Sequence, residues 1–336
     1  MTEQILDAFA RTGRRPTSPR SISTSRRLAS TLARAGLATL VLIASSQAAA
    51  AQKSEKPRAE QNPRWAPIHD VFGQGEAEGR YFRVNLPRSD LHVRIGDDAL
   101  SPEFEFTSYV GFARAGARDV LAMGEVILLQ SELTAVLDEA RRQGVRVTAV
   151  HNHLVGEEPR ILYVHVMAGG APRTVATALR AVFARSATPL TPPAEEVSHA
   201  DWSAIDAVLG RHSEAKGRVA EYVFPRKEHI RVHGVTLEST GTLETASEVV
   251  FQQLDGGRVA NTGELYLLPA ETQSVVRALE EHGLHVTALH NHMLDDGPPH
   301  LWVHWYATGA GPALARGVAA ALAEMNSARK AVQEGE

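Results

Sequence analysis

Val147-Thr148-Ala149-Val150-His151-Asn152-His153-Leu154 returns 139 residues later as Val286-Thr287-Ala288-Leu289-His290-Asn291-His292-Met293. Working outward, the same offset carries Phe112 onto Phe251, Gly124-Glu125 onto Gly263-Glu264, Leu128-Leu129 onto Leu267-Leu268 and Gly170 onto Gly309. Toward the N-terminus the offset shortens. Gly79-Arg80 and Pro87-Arg88 match Gly217-Arg218 and Pro225-Arg226 at 138, and the stretch after Trp65 matches that after Trp202 at 137. Two single-residue insertions account for the drift, so one module is written twice in tandem.

Within the first copy, residues 81–87, 91–95, 104–113 and 120–129 carry the alternation of strands. Residues 132–143 place Leu133, Val136, Leu137 and Ala140 on one face and stop at Gly144, the pattern of a helix. Strands follow at 145–153 and 161–167, then a helix at 174–185. The second copy repeats this order, with helices at 273–282 and 313–325. Strands grouped ahead of helices predict an α+β fold of two tandem pseudo-symmetric repeats, each an antiparallel sheet with two helices. The expected boundaries are repeat modules at 64–190 and 201–325, a proline-bearing linker at 191–200, a polar leader at 52–63 and a tail at 326–336.

Ahead of the modules, Arg11, Arg14, Arg15, Arg20, Arg26, Arg27 and Arg34 precede an apolar run at 35–44, and small residues Ala48 to Ala51 follow it. A basic region, a short apolar region and an Ala-x-Ala zone in that order predict a signal peptide over residues 1–51 and a periplasmic or secreted protein. The run is shorter than the roughly 20 residues of a membrane span. Ser25-Arg26-Arg27-Leu28 loosely matches a twin-arginine signal. Beyond residue 51 the chain holds 28 basic against 37 acidic side chains, a balance that argues against nucleic-acid partners. With no cysteine, the sequence offers neither a disulfide framework nor a thiol for a lipid anchor, and a metal site must be built from His, Asp and Glu.

The duplicated segments carry His151 and His153, with His165 twelve residues on, and His290, His292 and His304 in the same places. Side chains at i and i+2 of a strand share a face, so His151 and His153 are expected to project together, with Val145, Val147 and Ala149 on that face too. A hairpin pairing His151 with His165 would set all three rings together. Such a set suits a divalent ion such as zinc, iron, manganese or copper. Glu125 and Glu264 are the candidate carboxylate ligands. Glu157, Arg160 and Tyr163 are the candidate catalytic residues, forming a polar rim against a small-molecule substrate or ligand; their counterparts in the second copy are Asp296, Pro299 and Trp302. The spacing of His151, His153 and Glu157 also has the outline of a first cupin metal motif, although cupins draw their last His from a more distant strand. Consecutive His-Asn-His on an apolar strand does not match an endonuclease, whose residues are spread over a ββα motif. The alternative is a non-catalytic ligand-binding module in which the histidines are hydrogen-bonded core.

The run from Thr148 to His165 resembles the signature of the LppY/LpqO family of bacterial secreted proteins, as does Met123-Gly124-Glu125-Val126-Ile127-Leu128-Leu129 ahead of it. The resemblance covers essentially residues 64–325. It implies export and a duplicated module, and no reaction. The family's namesakes resemble lipoproteins, from which this chain departs in having no cysteine to acylate. The second copy departs at Asp296 and Pro299.

Overall fold

The computed structural model describes residues 63–191, 194, 197–294 and 296–326. The expected signal peptide, all but one residue each of the leader and the tail, and four residues of the expected linker lie outside the described residues.

Repeat one runs α1 (Ala66–Phe72), β1 (Glu76–Glu78), β2 (Tyr81–Pro87), β3 (Val93–Ile95), β4 (Asp98–Leu100), α2 (Pro102–Glu105), β5 (Thr107–Ala115), β6 (Asp119–Leu129), α3 (Leu133–Gln143), β7 (Arg146–His151), β8 (Glu157–Glu158), β9 (Ile161–Gly170) and α4 (Pro172–Phe183). Repeat two runs α5 (Ser203–Leu209), β10 (Glu214–Lys216), β11 (Val219–Phe224), β12 (Ile230–Val232), β13 (Val235–Leu237), β14 (Ser247–Gln253), β15 (Val259–Leu267), α6 (Thr272–Glu281), β16 (His285–His290), β17 (Asp296–Gly297), β18 (Leu301–Gly309) and α7 (Gly311–Ala323). Each repeat has a six-stranded antiparallel sheet, ordered β1-β2-β5-β6-β9-β7 and β10-β11-β14-β15-β18-β16, and a three-stranded sheet, β4-β3-β8 and β13-β12-β17. The fold is the predicted α+β pair of pseudo-symmetric repeats.

Each repeat also begins with a short helix, α1 or α5, beyond the two expected. Seven residues are too few for helical periodicity to show; Pro67 in the first turn and Gly73 in the left-handed region after the last one delimit α1. Residues 104 and 105, expected in a strand, belong to α2 instead, because Pro102 opens a helical turn after Ser101.

Alternation along β9 explains the layering. Leu162, Val164, Val166 and Ala168 meet Val136 and Ala140 of α3 and Leu179 and Phe183 of α4 in one core. Tyr163 and Met167 face the other way, toward repeat two. Met123 and Met167 pack with Ile230, Val232, Leu237 and Trp302, while Phe104, Ile127 and Tyr163 pack with Val219, Val250 and Leu254. The two large sheets therefore stack face to face with helices outside. Burial of each large apolar side chain contributes about 1.5–3 kcal/mol, and those on the inner faces realise it only against the partner repeat.

Candidate metal centre

β7 and β16 are edge strands, each interrupted by a β-bulge before its histidines, between Val147 and Ala149 in one and Val286 and Ala288 in the other. The extra residue reverses the facing of the strand. Val147, opposite Val166, faces the helices, as does Val145, whereas Ala149 lies opposite His165 on the inner face. This corrects two expectations. Val145 and Val147 do not share the histidine face, and His151 pairs with Tyr163 rather than with His165. His153 lies past the end of β7.

A larger correction concerns the number of clusters. The sequence reading gave each repeat its own three-histidine set; the face-to-face sheets bring all six rings into one. They stack in cross-repeat pairs, His151 on His290 at 3.6 Å between centroids, His153 on His304 at 3.7 Å and His165 on His292 at 3.7 Å. His153, His165, His292 and His304 are buried, and His151 and His290 are half-buried. The Thr287 hydroxyl donates to the His153 carbonyl and Asn291 Nδ2 donates to the Thr148 carbonyl at 3.3 Å, tying the two edges together.

Glu125 and Glu264 are register partners of His165 and His304 on the adjacent strands. Glu125 Oε2 lies 3.0 Å from His165 Nε2 and 3.4 Å from His153 Nε2; Glu264 Oε2 lies 3.6 Å from His292 Nε2 and 4.0 Å from His304 Nε2. Each acid follows a glycine for a steric reason. A Cβ on Gly124 would stand 2.5 Å from the Tyr109 carbonyl oxygen of β5, and one on Gly263 would strike the Glu248 carbonyl oxygen of β14.

Two further carboxylates were missed. Glu105 Oε2 is 2.9 Å from His153 Nδ1, and Glu244 Oε2 is 3.8 Å from His292 Nδ1. They sit 139 residues apart, so extending the repeat alignment seven residues upstream of Phe112 and Phe251 finds them. Among the proposed catalytic residues, Tyr163 is at the cluster, its ring stacked on His153 at 3.6 Å, as Trp302 is on His292 at 3.8 Å. Glu157 instead closes its own loop by accepting from the Ile161 N–H at 3.2 Å, and Arg160 is exposed on that loop. The cupin outline through Glu157 therefore does not form, because its carboxylate does not join the histidines.

Burial and neighbouring rings set the charges. Burial, then His165, His153 and His290, hold the His151 ring far below the usual imidazole range. Burial with His153 and His165 takes His290 down to about 3, and His292 and His304 are lowered in the same way. Burial also opposes charge on His153, but Glu125 and Glu105 outweigh it and push the ring up to about 9. Glu125 is driven well below the carboxylate range, its burial overcome by His153 and His165, while burial and then Glu244 and Glu248 drive Glu264 well above it. The pseudo-symmetric acids are thus shifted in opposite directions.

Donor atoms of Glu125, His151, His153 and His165 lie within 4.8 Å of one another, as do those of Glu264, His292 and His304. Mixed sets from both repeats, such as His151, His165, His290 and His292, meet the same limit. Among the described residues, His151 Nδ1, His290 Nε2, His292 Nε2, both His304 ring nitrogens and Glu264 Oε1 are buried without a hydrogen bond, and Glu125 Oε2 and His165 Nε2 meet as an ion pair at 3.0 Å. A cavity of about 10 Å³ beside His165 and His292, lined also by Tyr109, Thr148 and Met293, has room for about one water or ion. No helix among the described residues is long and apolar enough to cross a membrane.

The family model described as Domain of Unknown Function (DUF1259) matches residues 66–185 and again 203–324. The chain belongs to the DUF1259 family. Its two DUF1259 domains contribute equal shares of the histidine cluster. No curated protein matches the sequence. Among solved structures, a trimeric bacterial microcompartment shell protein, PduB, is similar at 13% identity over 73% of this chain and 87% of that one, with a TM-score of 0.17, a likeness that carries no argument.

Proposed function

We propose that this chain is an exported metal-binding protein of LppY/LpqO type whose two DUF1259 domains together hold divalent metal, zinc, iron, manganese or copper, on histidines drawn from both. One observation carries the reading: buried ring nitrogens of His151, His290, His292 and His304 and Oε1 of Glu264 have no hydrogen-bond partner, in residues whose donor atoms cluster within 4.8 Å of one another in overlapping groups. A buried polar atom left unpaired costs about 1–3 kcal/mol, and a hydrogen-bonded histidine core would have paired these atoms with protein groups. Neutral imidazoles and a carboxylate are the donors that borderline divalent ions take. The N-terminal basic, apolar and small-residue order supports export.

The catalytic form of this reading is a metal-dependent hydrolase or oxygenase acting on a small molecule that approaches past half-buried His151 and His290. Metal analysis of the untagged protein purified from the exported fraction tests the core of it. Stoichiometric metal is expected, with a rise in melting temperature when metal is restored to chelator-treated protein. Absence of both would leave the histidines as core and favour a non-catalytic binding module.

A further inference from the structure

Eight side chains converge between the sheets: Glu125, His151, His153 and His165 from repeat one, and Glu264, His290, His292 and His304 from repeat two. A tetrahedral ion takes four donors and an octahedral one six. One ion would therefore leave at least two of these groups without metal, in an interior where unpaired polar atoms are rare. By repeat the eight fall into two sets of three imidazoles and one carboxylate; in repeat one all four donor atoms lie within 4.8 Å of one another, and in repeat two those of Glu264, His292 and His304 do.

Resting on the metal reading above, we propose that the centre is dinuclear, with one ion on Glu125, His151, His153 and His165 and a second on Glu264, His292 and His304, completed by His290, the counterpart of His151. Donor atoms of His151, His165, His290 and His292, drawn from both repeats, lie within 4.8 Å of one another, so the ions are neighbours across the repeat interface. Two-metal centres have ions about 3.5–4 Å apart.

The two positions are unequal. Glu105 meets His153 Nδ1 at 2.9 Å and accepts from the Thr262 hydroxyl at 3.1 Å, which fixes the ring with Nε2 toward Glu125. Its counterpart Glu244 is 3.8 Å from His292 Nδ1, because its carboxylate is taken by the Tyr109 hydroxyl and lies 3.6 Å from Arg83. A carboxylate that orients a ligating histidine is worth about 10–100-fold in metal affinity. The repeat-one position therefore fills first, and Glu105 is its positioning residue.

The test is a zinc titration of the full, untagged, metal-free chain followed by native mass spectrometry, with electron paramagnetic resonance of the manganese-loaded protein. Two ions per chain are expected, binding in steps separated by about 10–100-fold, with a spin-coupled manganese signal. Glu264→Gln should remove the weaker step, and Glu105→Gln should bring the tighter step toward the weaker. A single ion at saturation overturns the dinuclear assignment and leaves the metal reading standing, whereas no ion overturns both. Two ions without coupling overturn their adjacency, and equal weakening of both steps by Glu105→Gln overturns the inequality. The wild-type stoichiometry decides the main question even if a variant fails to fold.

Discussion

Replacing Gly124 by alanine tests how the fold delivers Glu125 to the histidines. The added methyl would stand 2.5 Å from the Tyr109 carbonyl oxygen and 3.1 Å from Val110 Cα, where ordinary contact begins at 3.4 Å, so β6 must move from β5 by about 0.9 Å. Overpacking of this kind costs about 1–3 kcal/mol, and the lower chain entropy of alanine returns roughly 0.5–1. The net loss is about 1.5 kcal/mol, a fall in Tm of roughly 3–6 °C for a unit of this size. The same movement carries Glu125 from its 3.0 Å approach to His165, so metal affinity should fall along with stability. Gly169→Ala in β9 is the control, since its methyl would meet only the Val120 carbonyl oxygen at 3.7 Å and should be neutral or mildly stabilising. Thermal melts of both variants with and without metal supply the readout. A Gly124→Ala protein as stable and as metal-loaded as wild type would refute the close approach of the strands.

Arg88, fully buried, bonds Asp90 at 2.9 Å, Glu132 at 3.0 Å and the Ile127 carbonyl at 2.6 Å. Arg88→Met should cost about 3 kcal/mol in chemical denaturation, because it strands those acids; a cost below 1 would show the network to be incidental. Phe104→Ala in α2 removes a ring 1% exposed between the repeats and should cost about 3–5 kcal/mol by the same measurement, whereas a surface-like cost would deny the sheet-on-sheet interface. Protons compete with metal for imidazole nitrogen, and His153, pushed up to about 9 by Glu125 and Glu105, is the ring that holds its proton in the metal-free protein, so the stability that metal confers should be largest above about pH 9 and shrink as pH falls through it. The Tm difference between metal-loaded and metal-free protein, followed from about pH 10 to 6, checks this, and a difference independent of pH would exclude His153 as a ligand.

The sequence by itself determined the duplication, the α+β class and the six matched histidines, because all three are written as local patterns: an offset that drifts only from 137 to 139, periods of 2 and 3.6, and identical residue types at matching places. Glu105 and Glu244 were legible as well, seven residues ahead of the aligned phenylalanines, once the alignment was carried that far. The bulges were not. A single extra residue leaves the hydropathy of 145–151 looking like one continuous strand, yet it turns Ala149 and His151 away from the face of Val147. Only the tertiary structure decided that two three-histidine sets are one six-histidine cluster, since stacking His151 on His290 and His153 on His304 depends on apolar inner faces such as Met123 and Met167 finding Trp302 and Ile230 across the repeat boundary. Periodicity can mark a face as buried, but what covers it is set by packing between segments of different repeats, far apart in sequence.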